Sequence, residues 1–192
     1  MYEQHFGLNK RLFRTSATGN DVFVGPNIAA TTAEIKKAIS ANDAIVTISG
    51  AVGSGKTTLA THTLESISDG RIIVRVGRMR LESEDVLELL LDELGIEDKP
   101  RGTIQRFAIL RRKLKELEDI KSRVFITIED SVRLGADALA EIEALTSADA
   151  GESEGASVIL MGDESLKTFL EEPQLVRVQQ RIRQRLDRKS VV

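Results

Sequence analysis

Cysteine and tryptophan are absent from this chain of 192 residues, and it holds only one Tyr and two His. Without a thiol there is no disulfide framework, no thiolate nucleophile and no Cys-based zinc site. His5 and His62 stand too far apart in the chain to suggest a metal cluster. Aromatic residues make up 4% of the composition, so the core has to be aliphatic, built from Ile, Leu, Val and Ala, which suits a sheet packed by helices. No apolar run approaches the ~18 residues of a membrane span, and the stretch from Met1 to His5 lacks the basic start and apolar run of a signal peptide. The expected location is the cytoplasm, either free or peripheral to a membrane complex. A strongly basic balance is missing as well. A formal charge of −3 and a pI near 5.6 exclude wholesale electrostatic capture of nucleic acid and leave room only for a local basic patch.

What is present is an alternation of short aliphatic runs and amphipathic stretches, without an internal repeat or a low-complexity tract. Residues 1–25 read as an N-terminal arm and 26–192 as one domain. A helix is expected from Asn27 to Ser40 and a strand from Ala44 to Ser49, followed by a Gly-rich loop and a helix to about Ser66. Arg71 to Val76 reads as the second strand. Glu82 to Leu94 is a helix with Gly95 at its C-terminal stop. Thr103 to Ile120 is another, with Phe107, Leu110, Leu114 and Leu117 on one face. Val124 to Ile128 and Ser157 to Met161 are the third and fourth strands, separated by a helix from Ala136 to Leu145 and a polar loop from Ser147 to Gly155. A short helix from Glu164 to Glu171 and a last one from Gln174 to about Arg185 complete the pattern, and a fifth strand has room only around Leu186 to Val192. Strands alternating with helices imply a three-layer α/β fold, a mostly parallel sheet flanked by helices, with ligands at the carboxyl ends of its strands.

The loop after the first strand, Gly50-Ala51-Val52-Gly53-Ser54-Gly55-Lys56-Thr57-Thr58, fits the P-loop pattern without a mismatch. Glycines let the backbone curl so that successive N–H groups converge on phosphates, Lys56 adds a point charge, and the Thr57 hydroxyl is a ligand for Mg²⁺. The helix that starts here turns its positive dipole end to the same anion. A Gly-rich turn with an exposed lysine has the same spacing; the strand before and the helix after distinguish the phosphate cradle.

The run Val124-Phe125-Ile126-Thr127-Ile128 stops at Glu129-Asp130. In P-loop proteins an acid of this kind binds Mg²⁺ and a neighbouring Glu polarises the attacking water. The run is therefore expected to be the strand next to the P-loop strand; alone it reads equally as an edge strand entering an acidic turn.

Several segments together resemble the ExeA/GspA-type AAA+ ATPases of general secretion. They are Met1-Tyr2 with His5-Phe6-Gly7-Leu8 and Phe13, the P-loop, the stretch from Arg71 to Gly95, and Val158 to Gly162 followed by Glu164-Ser165-Leu166. The same group includes transposition helpers of the TniB and TnsC kind. The resemblance implies an AAA+ core that binds ATP and Mg²⁺, hydrolyses it slowly and assembles as a homo-oligomeric ring or filament within a larger machine. That machine is a secretion or envelope assembly, with a protein partner of a membrane or DNA machine. The alternative is a nucleotide-gated binding module with negligible hydrolysis, in which DNA is a possible but less favoured partner.

Three departures from the family pattern stand out. The family usually ends the third strand in Asp-Glu, and here the order is Glu129-Asp130; by position Glu129 takes the Mg²⁺ role and Asp130 that of catalytic base. Each side chain is displaced by one methylene, about 1.5 Å of reach, and ~1 Å of misplacement can cost around a hundredfold in rate. Asp163 stands where the family commonly has a Gln that senses the γ-phosphate. The chain ends at Val192, so the C-terminal helical lid of AAA+ proteins is expected to be absent. Between Arg177 and Lys189 six basic residues face one acid. They read as a solvated helix, as a contact for nucleic acid or anionic lipid, or, through Gln180-Arg181-Ile182, as something similar to the arginine finger that AAA+ proteins insert into a neighbour's site.

Overall fold

The computed structural model describes residues 5, 7, 25–40, 45–67, 70–77, 79–146 and 155–188. Five strands form one parallel sheet: β1 Ile45–Gly50, β2 Arg71–Val76, β3 Arg123–Ile128, β4 Ser157–Gly162 and β5 Ile182–Arg188, in the order β2-β3-β4-β1-β5. Eight α-helices, besides a 3-10 helix at Pro173–Leu175, are found among the described residues. These are α1 Pro26–Ser40, α2 Lys56–Glu65, α3 Ser83–Glu93, α4 Thr103–Asp119, α5 Ser131–Leu134, α6 Ala136–Thr146, α7 Ser165–Leu170 and α8 Val176–Arg181.

Alternation along the strands sorts the core into two layers, because successive side chains of a strand point to opposite faces. Val124, Ile126 and Ile128 of β3 and Val158 and Leu160 of β4 pack with Leu87, Leu110, Leu139 and Leu166 from α3, α4, α6 and α7. Phe125, Ile159, Met161, Val46 and Ile48 face the other way, onto Ile35 and Ile39 of α1 and Leu59 and Leu64 of α2. Burial on both faces is why these strands read as unbroken aliphatic runs. The expected helices at 27–40, 82–94, 103–120 and 136–145 all form, each within two residues of its expected bounds.

Two expectations are corrected. β3 does not lie next to β1: β4 is hydrogen-bonded to both, from Phe125↔Ser157 on one side to Ile45↔Val158 on the other. The final helix stops at Arg181 rather than Arg185, and the fifth strand runs over Ile182–Arg188 rather than Leu186 to Val192. Pairing with the exposed edge of β1 satisfies backbone groups that a longer helix would leave open. A bulge at the start of this pairing, where Ile45 faces Ile182 but Val46 faces Gln184, reverses the side-chain alternation. Ile182 thereby joins the first core layer and Leu186 the second. Most of the N-terminal arm, Ala44, residues 147–154 of the polar loop and residues 189–192 lie outside the described residues.

Candidate active site

β1 ends at Gly50, and the chain must reverse within a few residues to start α2. Gly50 adopts φ 148°, and Gly53 and Gly55 both adopt φ 81°, a left-handed backbone that only glycine enters without strain. Space adds to the demand at Gly50, where a Cβ would fall 2.3 Å from the Arg188 carbonyl oxygen. The loop is pinned by the Ser54 N–H donating to Ala51 O at 3.2 Å, and α2 begins with Leu59 N–H on Gly55 O at 2.9 Å. The first-turn N–H groups before Leu59 have by construction no acceptor within the helix. Lys56 Nζ donates to Gly50 O at 2.7 Å and Ala51 O at 2.9 Å, folded back over the loop.

The acids arrive from β3. The Glu129 N–H still donates to Val76 O at 3.0 Å, continuing the ladder, and Asp130 then turns the chain at φ 54° into α5. Asp130 Oδ2 lies 3.4 Å from Arg133 Nε, an exposed pair. Behind them the buried Ser131 hydroxyl is within reach of Ile128 O at 3.2 Å and Met161 O at 3.0 Å, tying the ends of β3 and β4 together. Asp163 follows β4. Its Oδ1 accepts the Ser165 hydroxyl and, at 2.9 Å, the Ser165 N–H. These bonds, the hydroxyl first, hold its carboxyl below the usual range; slight burial opposes them and the Lys56 charge assists.

Of the expected site residues, Val52, Gly53, Gly55, Lys56, Thr57, Thr58, Glu129, Asp130 and Asp163 line one cleft of about 400 Å³, together with Met161 and Gly162. Gly50, Ala51 and Ser54 shape the loop from behind. Arg181 is elsewhere: it precedes Ile182, which pairs with the first residue of β1, and its Nε lies 3.1 Å from Glu143 Oε1. Ser131 and Arg188 escape sequence reasoning. Arg188 Nε donates to Ser54 O at 2.7 Å, a contact that only the β1–β5 pairing creates. Backbone N–H groups, a lysine, two threonines and three carboxylates around one open space suit a polyphosphate with a divalent cation. A Cβ at Gly53 would meet nothing within 4 Å, so that side of the loop is open.

A phosphate loop at the carboxyl end of β1, with acids two strands away across β4, makes this a P-loop ATPase of the AAA+ class. The chain belongs to the AAA domain family, whose model matches residues 39–170. It is similar to General secretion pathway protein A of Aeromonas hydrophila, 25% identical over 183 residues, which cover 95% of this chain and 34% of that protein. The chain thus spans about a third of that relative. Among solved structures it resembles Cdc6p from Pyrobaculum aerophilum, with TM-score 0.74, 16% identity and coverage of 92% of this chain and 48% of that one. The Aeropyrum pernix ORC2 protein in its ADPNP–ADP complexes gives TM-score 0.66 and 17% identity over 94% of this chain and 51% of that one. At these identities the structures share the fold.

Proposed function

We propose that the chain is a Mg²⁺-dependent ATPase core that turns over slowly and couples its nucleotide state to assembly of a larger machine. The observation that carries this reading is the common cleft of Lys56, Thr57, Glu129, Asp130 and Asp163. In it Lys56 exchanges its loop carbonyls for the β- and γ-phosphates, and Thr57 and Glu129 would hold the metal. Bound Mg²⁺ would neutralise charge on the phosphates. Asp130 accepts the proton of the attacking water, and Asp163, its Oδ1 committed to Ser165, borders the γ-phosphate side. ATP and water give ADP, phosphate and a proton that leaves through Asp130. Arg181 acts on the site of a neighbouring copy in a ring or filament.

Similarity to a secretion pathway protein supports a place beside a membrane machine at its cytoplasmic face, with a protein partner of that machine. No helix among the described residues is long and apolar enough to cross a membrane. One observation favours a second reading, a nucleotide-gated module with negligible hydrolysis that recruits a partner or DNA: Asp163 adds a third carboxylate to the cleft beside Lys56, on the γ-phosphate side.

Phosphate release measured across protein concentrations separates the two. Slow hydrolysis predicts turnover per chain that rises with concentration and disappears in Lys56→Ala. Tight ATP binding with no release at any concentration would sink the ATPase reading and leave the gated module.

A further inference from the structure

We infer that Arg188 is a positioning residue of the phosphate loop, aiming the Gly55 N–H into the cleft by holding the carbonyl on the other side of the same peptide. The inference rests on reading the cleft as a nucleotide site.

Three observations place the end of β5 against the loop. The Arg188 Nε–H donates to Ser54 O at 2.7 Å. One of its terminal nitrogens, Nη2, lies 3.7 Å from where a Cβ at Gly55 would be, and its own carbonyl crowds Gly50. β5 is thus packed against both ends of the loop. Gly55 lines the cleft, while Ser54 and Arg188 do not. A trans peptide is planar, with its C=O and N–H pointing in opposite directions. Holding the Ser54 carbonyl on the outer side therefore turns the Gly55 N–H inward, and with φ 81° at Gly55 the glycine alone would leave that plane freer to rotate. A charged donor on the carbonyl also polarises the peptide and strengthens its N–H as a donor. Arg188 does not line the cleft and acts through the backbone, so its contribution belongs to nucleotide affinity.

The test uses the whole chain with Arg188→Ala and Arg188→Met, the second keeping an unbranched stem without charge or donor. Expected is a loss of about tenfold in ADP affinity for both, the scale of one charge-assisted hydrogen bond. In protein labelled with nitrogen-15 glycine, the Gly55 amide resonance should move in both variants and the Gly53 amide much less. The exposed Arg177→Ala should match wild type in both readouts. Recovery in Arg188→Met of wild-type affinity and of the Gly55 resonance would reduce Arg188 to packing and overturn the inference. If wild type binds ADP and both variants bind it equally well, the positioning role alone falls. If wild type binds no ADP, the nucleotide reading falls and the positioning role with it.

Discussion

Asp130 sits at φ 54°, a left-handed conformation that costs a residue with a Cβ roughly 1–2 kcal/mol. Asp tolerates this region better than most residues because its short carboxylate can bond locally. A Glu at the same position would meet the strain with less compensation. That is a physical reason for the unusual order: the tight turn from β3 into α5 favours Asp at 130, and the longer Glu129 stands on the strand end where the extra methylene is accommodated. The Arg133 pair does not lock the Asp130 carboxylate, since both partners are exposed and such pairs contribute about 0–1 kcal/mol. The two roles then separate by mutation. Glu129→Gln is expected to weaken nucleotide binding about tenfold in the presence of Mg²⁺ and to leave metal-free binding unchanged. Asp130→Asn, which keeps the left-handed turn, is expected to spare binding and lower turnover at least about a hundredfold. Titrations with and without Mg²⁺ beside a phosphate-release assay decide it; the reverse pattern in the two variants would exchange the roles.

At the scale of elements, legibility follows the number of faces an element buries. β1, β3 and β4 are covered on both sides and read directly as aliphatic runs; α3 and α4 carry one apolar stripe each and stop at the C-caps Leu94 and Ile120. The phosphate loop is local and was readable from its spacing. β5 was not. Its two apolar residues, Ile182 and Leu186, stand four apart among charges, which is a helical spacing, and only the bulge at the β1 pairing sends them to opposite core layers. Arg188 and Ser131 were hidden for the same reason: their contacts depend on strand register, which single-chain periodicity does not encode. The order of β3 and β4 was likewise invisible, because both runs are equally buried. Asp163 belongs to this scale too, as the residue that caps the start of α7 through Ser165. Its carboxyl titrates below the ordinary 3.8, so the contribution of the hydrogen-bonded carboxylate is complete at neutral pH and is lost as pH falls through the depressed value. Asp163→Asn keeps a side-chain acceptor but titrates nothing. Its Tm should therefore fall less than that of wild type as the pH is lowered from neutral through the range below 3.8. Parallel Tm curves would show that the cap is not linked to the charge.

On the scale of the whole molecule, the sheet divides the candidate site residues between its two ends. The loop, Glu129, Asp130 and Asp163 are at the carboxyl ends of the strands, whereas Arg181 enters β5 at the level where β1 begins. About five residues of strand rise separate them, roughly 17 Å, and the strand pairing between them leaves no path for Arg181 to its own cleft. If Arg181 serves hydrolysis, it serves that of another copy. One of its contacts in the single chain is with Glu143, whose side chain is 8% exposed, and removing the guanidinium from that largely buried carboxylate costs about 1–3 kcal/mol. Assembly with bound nucleotide has to supply at least that much. Arg181→Ala is therefore expected to lower stability by about 2 kcal/mol, and Glu143→Ala in the same chain to restore most of it, both read by denaturant unfolding of the dilute protein. Turnover carries the second half of the argument. Arg181→Ala keeps an intact cleft and Lys56→Ala keeps an intact Arg181, and each alone should be inactive. Mixing the two at concentrations that permit assembly should recover phosphate release from the clefts of the first acting with the arginines of the second. An unchanged, inactive mixture in which both proteins are folded and assembled would confine Arg181 to its pair with Glu143.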